Sequence, residues 1–228
     1  MNWNMQTSSP VSDKDIQDVI AIFEDGFGQP GWSYEGIKTR FKASTVGGFL
    51  EDDSGLRFGY AFYSMPLLLF KGAHILWEDA ICVRKSLQGA RHASPATVWP
   101  AAWNAARDVF PGKTVEWVGG RTQNPLVMHR YWRQTASDSV YPIRRDYQSG
   151  EGKELAALLQ FSIAELESMP IPSDGILRGR YGKRLGDYAI ESDYSGIEDW
   201  LLKHNFNRDA GDAVVMISKL DTPIGPKG

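Results

Sequence analysis

The 228-residue sequence has one cysteine, Cys82. An intrachain disulfide and any metal site built from several cysteines are therefore excluded. So sparing a use of thiols suits a reducing, cytoplasmic setting. Long apolar runs are missing as well: no stretch reaches the roughly 18 residues that a membrane-spanning helix needs. The opening MNWNMQTSSP has no basic segment leading into an apolar one, as a secretory leader would. Positive charge is not in excess, because the formal net charge is −3. That argues against non-specific binding to nucleic acid, which depends on a basic surface that displaces counterions. The four histidines are scattered without ligand spacing, so no metal site is expected. Internal repeats and long low-complexity linkers are absent too.

The residues present suit an ordinary globular chain, 42% apolar and 23% charged. A chain of this length buries a sizeable core as one large domain, or as one domain with a subdomain. Eight tryptophans imply that large rings fill much of that core.

Ser12 and Asp13 open a helix with Ile16, Val19, Ile20 and Phe23 at helical spacing, and Gly26 is positioned to end it. After the Gly28–Gly31 turn, Ser33 caps a second helix carrying Tyr34, Ile37 and Phe41 on one face. Val46 to Asp52 and Leu56 to Met65 read as strands joined by the tight turn Asp52-Asp53-Ser54-Gly55, an antiparallel hairpin. A third strand covers His74 to Val83. Ser94-Pro95 starts a helix that reaches about Val109, with Pro100 expected to kink it or delay its start. Thr114 to Gly119 is a strand, Asn124-Pro125 opens a helix through Gln134, and Val140 to Tyr147 is a further strand.

Glu151 to Met169 reads as a long amphipathic helix, with Leu155, Leu158, Leu159, Ile163 and Leu166 on its apolar side and Pro170 and Pro172 ending it. Ser195 to Asn205 is helical, Ala213 to Leu220 is a last strand, and 221–228 is a polar tail expected to fray. The domain reading is a core over 1–150 and a C-terminal extension over 151–228, whose final strand could equally complete the main sheet.

The stretch WEDAICVRKSLQGARHASP, 77–95, runs from an apolar strand into a short turn of small residues and then a helix start. Val83 is followed five positions later by Gln88, in Gln88-Gly89-Ala90-Arg91-His92-Ala93. Further on, Asn124, Val127 and Tyr131 recur at spacings of three and four. With the order helix, helix, hairpin, strand, helix, strand, helix, strand, these two patterns resemble the GNAT superfamily of acyl-CoA-dependent N-acyltransferases. The family's loop has the form Gln/Arg-x-x-Gly-x-Gly/Ala. Gln88 and Ala93 match its ends, and Arg91 stands where the family has glycine. The Gly-Phe that usually follows the tyrosine is replaced by Thr135-Ala136.

The resemblance implies an α/β fold, a GNAT-like central mixed sheet flanked by helices, and acetyl-CoA or a related acyl-CoA as co-substrate. It implies an amine of a small molecule or peptide as acceptor, and it leaves a homodimer open. Backbone N–H groups of Gln88, Gly89, Ala90, Arg91, His92 and Ala93 would hold the pyrophosphate, as consecutive amides at a helix N-terminus do. An N–H from Ile81, Cys82 or Val83 would polarise the thioester carbonyl. Asn124 would contact the pantetheine arm, and Tyr131 would protonate the leaving thiolate.

The base would be Glu78 or Asp79, with Glu78 favoured. Neighbours on a strand point to opposite faces, so only one of them can face a cleft. Either carboxylate could equally close a salt bridge at the sheet end. His74, His92 and His129 are alternatives better read as packing or surface residues. Cys82, inside an apolar strand, reads as a small buried residue. Trp32 and Tyr34 either line an acceptor groove or anchor the second helix. The basic run Arg178-Gly-Arg180-Tyr-Gly-Lys183-Arg184 could bind an anion or simply form a solvated turn. Two further readings stand beside the enzyme: a GNAT-like binding module that has lost catalysis, and a nucleic-acid-associated protein resting only on that basic run.

Overall fold

A computed structural model describes the chain except for residues 8–10, 65–68, 91–94, 108, 134, 149, 164–165, 167–169, 187–194 and 226–228. The class is α/β, as the sequence predicts, with helices packed among eight strands in the described residues. The chain forms two compact units that do not follow its order. The first comprises Met1–Met65, Leu76–Thr114 and Ile224–Gly228, and the second Pro66–Ile75 and Val115–Pro223.

β1 (Asn2–Thr7), β2 (Val46–Glu51), β3 (Arg57–Ser64) and β4 (His74–Val83) pair in that order, each antiparallel to the next, and all but the first two residues of β4 belong to the first unit. The hairpin and the third strand appear as expected. β1 was not expected: NWNMQT alternates, with Trp3 and Met5 on one side, but two apolar residues in so short and polar a run are a weak strand signal. It is held by its register against β2, with Trp3 opposite Leu50.

Helix α1 (Asp13–Phe27) starts at a capping box. The Ser12 hydroxyl accepts from the Asp15 amide, and the Asp15 carboxylate accepts from the Ser12 N–H at 2.8 Å. The helix runs past Gly26 to Gly28, whose φ of 67° closes it in the left-handed region. Gly26 has a packing role instead: a Cβ there would lie 2.6 Å from both Cys82 Sγ and the Val83 carbonyl oxygen. Helix α2 (Tyr34–Ala43) is capped by Ser33. Both helices cover one face of the sheet, where Ile16, Val19, Ile22, Phe23 and Ile37 meet Phe49, Tyr60, Phe62 and Cys82. Full burial of each large aliphatic chain contributes roughly 1.5–3 kcal/mol. Helix α3 (Pro95–Ala106) packs on β1 and contains Pro100. It ends before Val109.

In the second unit, β5 (Val115–Thr122), β8 (Ala213–Ile224) and β6 (Thr135–Tyr141) are neighbours in that order, and the short β7 (Ile176–Leu177) also pairs with β8. The last strand therefore joins a strand from before residue 150 to one from after it. It also continues to Ile224, so 221–224 are strand rather than frayed tail.

The strand expected over Val140 to Tyr147 lies earlier, because Pro142 has no amide to continue the ladder. Tyr147 comes after the turn, stacks on Tyr141 at 5.6 Å and donates its hydroxyl to the Val215 carbonyl at 3.1 Å. Helix α4 (Pro125–Arg133) follows β5. Helix α5 (Gly150–Ser162) stops short of the expected Met169, and the Leu166 N–H closes a tighter turn onto Ile163. Helix α6 is Ser195–Lys203. Among the described residues no helix is long and apolar enough to cross a membrane.

Candidate functional site

The two acidic candidates sit where the β3–β4 ladder is irregular. Phe62 pairs with Ala80, Tyr63 with Glu78 and Ser64 with Trp77, so the β3–β4 register skips Asp79. One extra residue on one strand is a β-bulge. The Tyr63 hydroxyl donates to Glu78 at 3.1 Å. Asp79 turns the other way and accepts from Ser64 Oγ at 2.5 Å and from Ser44 Oγ at 3.2 Å. The two carboxylates therefore lie on opposite faces, as expected, although a bulge rather than plain alternation sets them there.

Beyond them, Ile81 pairs with Ala61, Cys82 with Tyr60 and Val83 with Gly59. Cys82 is buried, and its thiol points at the Ile22 carbonyl at 3.7 Å. Burial, with a smaller contribution from the Asp25 charge, pushes this thiol up to about 12. It is a packing group, as its place in the strand predicts.

The turn after β4 opens with a short 3-10 segment, Lys85–Leu87. The Lys85 amide donates to Asp25 Oδ2 at 2.7 Å, and the Leu87, Gln88 and Ala90 amides donate to the carbonyls of Arg84, Lys85 and Leu87. Gln88 also spends its side-chain amide on the Gly26 carbonyl at 2.7 Å. Gly89 adopts φ 88°, which only glycine takes without strain. Much of the described turn is thus tied to itself and to the end of α1. Arg91, His92 and Ala93 lie outside the described residues.

The remaining candidates belong to the second unit. Asn124 caps α4: its side-chain oxygen accepts from the Leu126 amide at 3.0 Å, and its own N–H donates to Thr122 Oγ1. Tyr131 lies on the buried face of that helix with Met128 and is 2% exposed. His74 and His129 are both buried, in keeping with a packing role.

In the basic run, Arg178 is committed to structure. It pairs with Asp212 at 2.9 Å and Asp174 at 3.2 Å, and it donates to the carbonyls of Asn205 and His204. Asp212 also accepts from the amides of Gly179 and Asn207. Burial alone would raise the Asp212 carboxyl, but those two amides and Arg178 outweigh it and hold the carboxyl below its ordinary value. Arg184 lies 3.5 Å from Asp209.

Sequence reasoning missed the residues around the bulge. Arg40 donates to the Asp79 carbonyl at 3.2 Å and lies 4.8 Å from the Trp32 ring centroid. Trp32 in turn stacks on Phe23 at 5.6 Å, which favours its anchoring role. Tyr34 donates to Asp13 and ties the start of α2 to α1. No sequence signal marks a bulge, so Ser44, Ser64 and Arg40 could not be singled out beforehand.

No protein-family model matches the chain, and no curated protein matches it. Among solved structures, it is similar to an acetyltransferase from Trypanosoma brucei, at 14% identity and a TM-score of 0.39, over 58% of this chain and 90% of that one. It is similar to a GNAT family N-acetyltransferase from Escherichia coli in complex with CoA, at 16% identity and a TM-score of 0.39, over 57% and 67%. A third is a GNAT family acetyltransferase from Brucella melitensis in complex with acetyl-CoA, at 19% identity and a TM-score of 0.37, over 60% and 84%.

Proposed function

We propose that this chain is an acyl-CoA-dependent N-acyltransferase that moves an acetyl or other acyl group to an amine of a small molecule or peptide. The observation that carries the reading is the unit β4–turn–α3. The strand ends at Val83, Gln88 follows five residues later in an anchored turn, and a helix begins at Pro95. That is the strand, turn and helix start on which the GNAT resemblance depends.

In the reaction, the amine nitrogen attacks the thioester carbonyl carbon as the C–N bond forms. The C–S bond breaks, and the electron pair leaves with the CoA sulfur. Glu78 takes the proton from the amine and a β4 amide stabilises the developing oxyanion; returning a proton to the thiolate is the part that the GNAT resemblance gives to Tyr131. The amides of Lys85, Leu87, Gln88 and Ala90 are already engaged. Of the six residues that the resemblance assigns to the pyrophosphate, Gln88 and Ala90 thus have their amides engaged within the turn, and Arg91, His92 and Ala93 lie outside the described residues.

Titration calorimetry with acetyl-CoA and with CoA tests the reading. Saturable heat at micromolar ligand is expected, and none at high micromolar overturns it. The engaged turn amides favour a second reading, a module that binds without catalysis. Thiol release from acetyl-CoA with an amine panel separates the two, and where release is seen Tyr131→Phe tests the mechanism. A fall of roughly 10²-fold or more supports the mechanism, and an unchanged rate removes Tyr131 from it.

A further inference from the structure

Strand alternation and the observed bulge give opposite answers for Glu78. Phe62, Tyr60, Ala80 and Cys82 lie on the sheet face covered by α1 and α2. Unbroken alternation from Cys82 through Ala80 would put Glu78 on that same face, in the apolar core. The bulge prevents this by pairing Glu78 with Tyr63, on the face shared by Ala61 and Ile81. A slip of one residue moves a side chain to the other face, so whatever holds the bulge also decides where the Glu78 carboxylate points.

The residues that hold it come from α2 and β3. A bulged residue interrupts the regular ladder, so contacts from outside the strand pair can fix its conformation. Arg40 Nη1 donates to the Asp79 carbonyl at 3.2 Å, with its guanidinium braced 4.8 Å from the Trp32 centroid. Ser44, the C-cap of α2, and Ser64 hold the Asp79 carboxylate on the helix-covered side. Backbone and side chain of the one extra residue are thus both secured.

We propose that Arg40 is a positioning residue: by holding the Asp79 carbonyl it maintains the β4 bulge and thereby directs Glu78 away from the α1/α2 core and onto the Tyr63 hydroxyl. The inference deepens the acyltransferase reading, in which Glu78 is the base, but its structural half stands without a substrate.

The test uses the full chain with ¹³C-labelled glutamate carboxyls, the Glu78 resonance being assigned by its loss in Glu78→Gln. Its titration, and the cross-strand contact between Tyr63 and Glu78, are compared in wild type, Arg40→Gln, Arg40→Lys and Arg57→Gln. Arg40→Gln is expected to change the proton affinity of Glu78 roughly tenfold and to weaken that contact. Arg40→Lys, which keeps a donor but loses the flat stack on Trp32, is expected to shift it less and in the same direction. Arg57→Gln, outside the bulge, is expected to lower the melting temperature and leave Glu78 unmoved.

A Glu78 titration unchanged in Arg40→Gln overturns the proposal, as does an equal shift in Arg57→Gln. Should Arg40→Gln not fold, an unchanged titration in Arg40→Met, which keeps the apolar stem and removes the donor, overturns it equally. Absence of CoA binding by the wild type would remove the acyltransferase reading alone, since the titration requires no ligand.

Discussion

Arg57 on β3 places its Nη1 2.6 Å from Asp15 Oδ1 in the first turn of α1. The same guanidinium reaches Asp18 at 2.8 Å and Glu51 at 2.9 Å, and it lies 3.9 Å from the Phe49 ring centroid. Burial would raise the Asp15 carboxyl, but hydrogen bonds from Ser12 and Arg57 outweigh it and hold it below its ordinary value. A carboxylate depressed by folding adds stability that is fully present above its unfolded value of about 4 and is lost as pH falls through the folded value. Asp212 acts in the same direction. So does Glu151, which is lowered first by Lys71. Acid unfolding is therefore expected to begin below about pH 4. Arg57→Ala is expected to cost about 2–3 kcal/mol at neutral pH and to flatten the acid limb, measured by denaturant melts across pH.

Cys82 is expected to resist thiol reagents in the native state. Folding raises it from its ordinary 9.0 to about 12, so the thiolate needed for reaction is scarce. For a group raised by folding, the contribution to stability is complete below the unfolded value and is lost as pH rises towards the folded one. Labelling should track global unfolding in denaturant, and rapid native labelling would contradict the buried placement.

Gly26→Ala tests the close approach of α1 to the turn after β4. The added methyl would meet a backbone oxygen of Val83 as well as Cys82 Sγ, both at 2.6 Å, and a backbone atom cannot rotate aside. Overpacking of this kind costs about 1–3 kcal/mol, well beyond any gain from alanine's helix preference. A lower melting midpoint is expected, together with altered amide shifts at Lys85 and Gln88.

Asp212→Asn should destabilise the second unit. It removes the charge that pairs with Arg178, and one of the two carboxylate oxygens that serve the amides of Gly179 and Asn207. A loss of about 2–4 kcal/mol is expected, which for a chain of this size lowers the melting temperature by roughly 5–15 °C.

Those four positions differ in how legible they were. Cys82 declared itself, since a lone small residue within ILWEDAICV packs in almost any fold. Gly26 was noticed but read as a stop, because a glycine near the end of a helix is far more often a cap than a contact point. Arg57 and Asp212 gave no signal at all. Their partners lie 42 and 34 positions away, at Asp15 and Arg178, and one sequence does not reveal such pairs. The same holds for the site: Glu78 and Asp79 were named from their strand, whereas Arg40, Ser44 and Ser64 were not.

Local chemistry determined the elements whose signals are short-range. Ser12 and Ser33 cap their helices through bonds spanning three residues, and the Asp52 turn closes on Ser54 and Leu56. The alternating residues of β3 and the span of β4 could therefore be read directly. Tertiary structure decided what depends on partners distant in the chain. β1 exists because β2 offers it an edge, and β8 gains length beyond its apolar run. The bulge at Asp79 shifts Glu78 from one face to the other because one extra residue interrupts the alternation, and the Asp79 carbonyl is held by Arg40, on a helix 39 residues earlier.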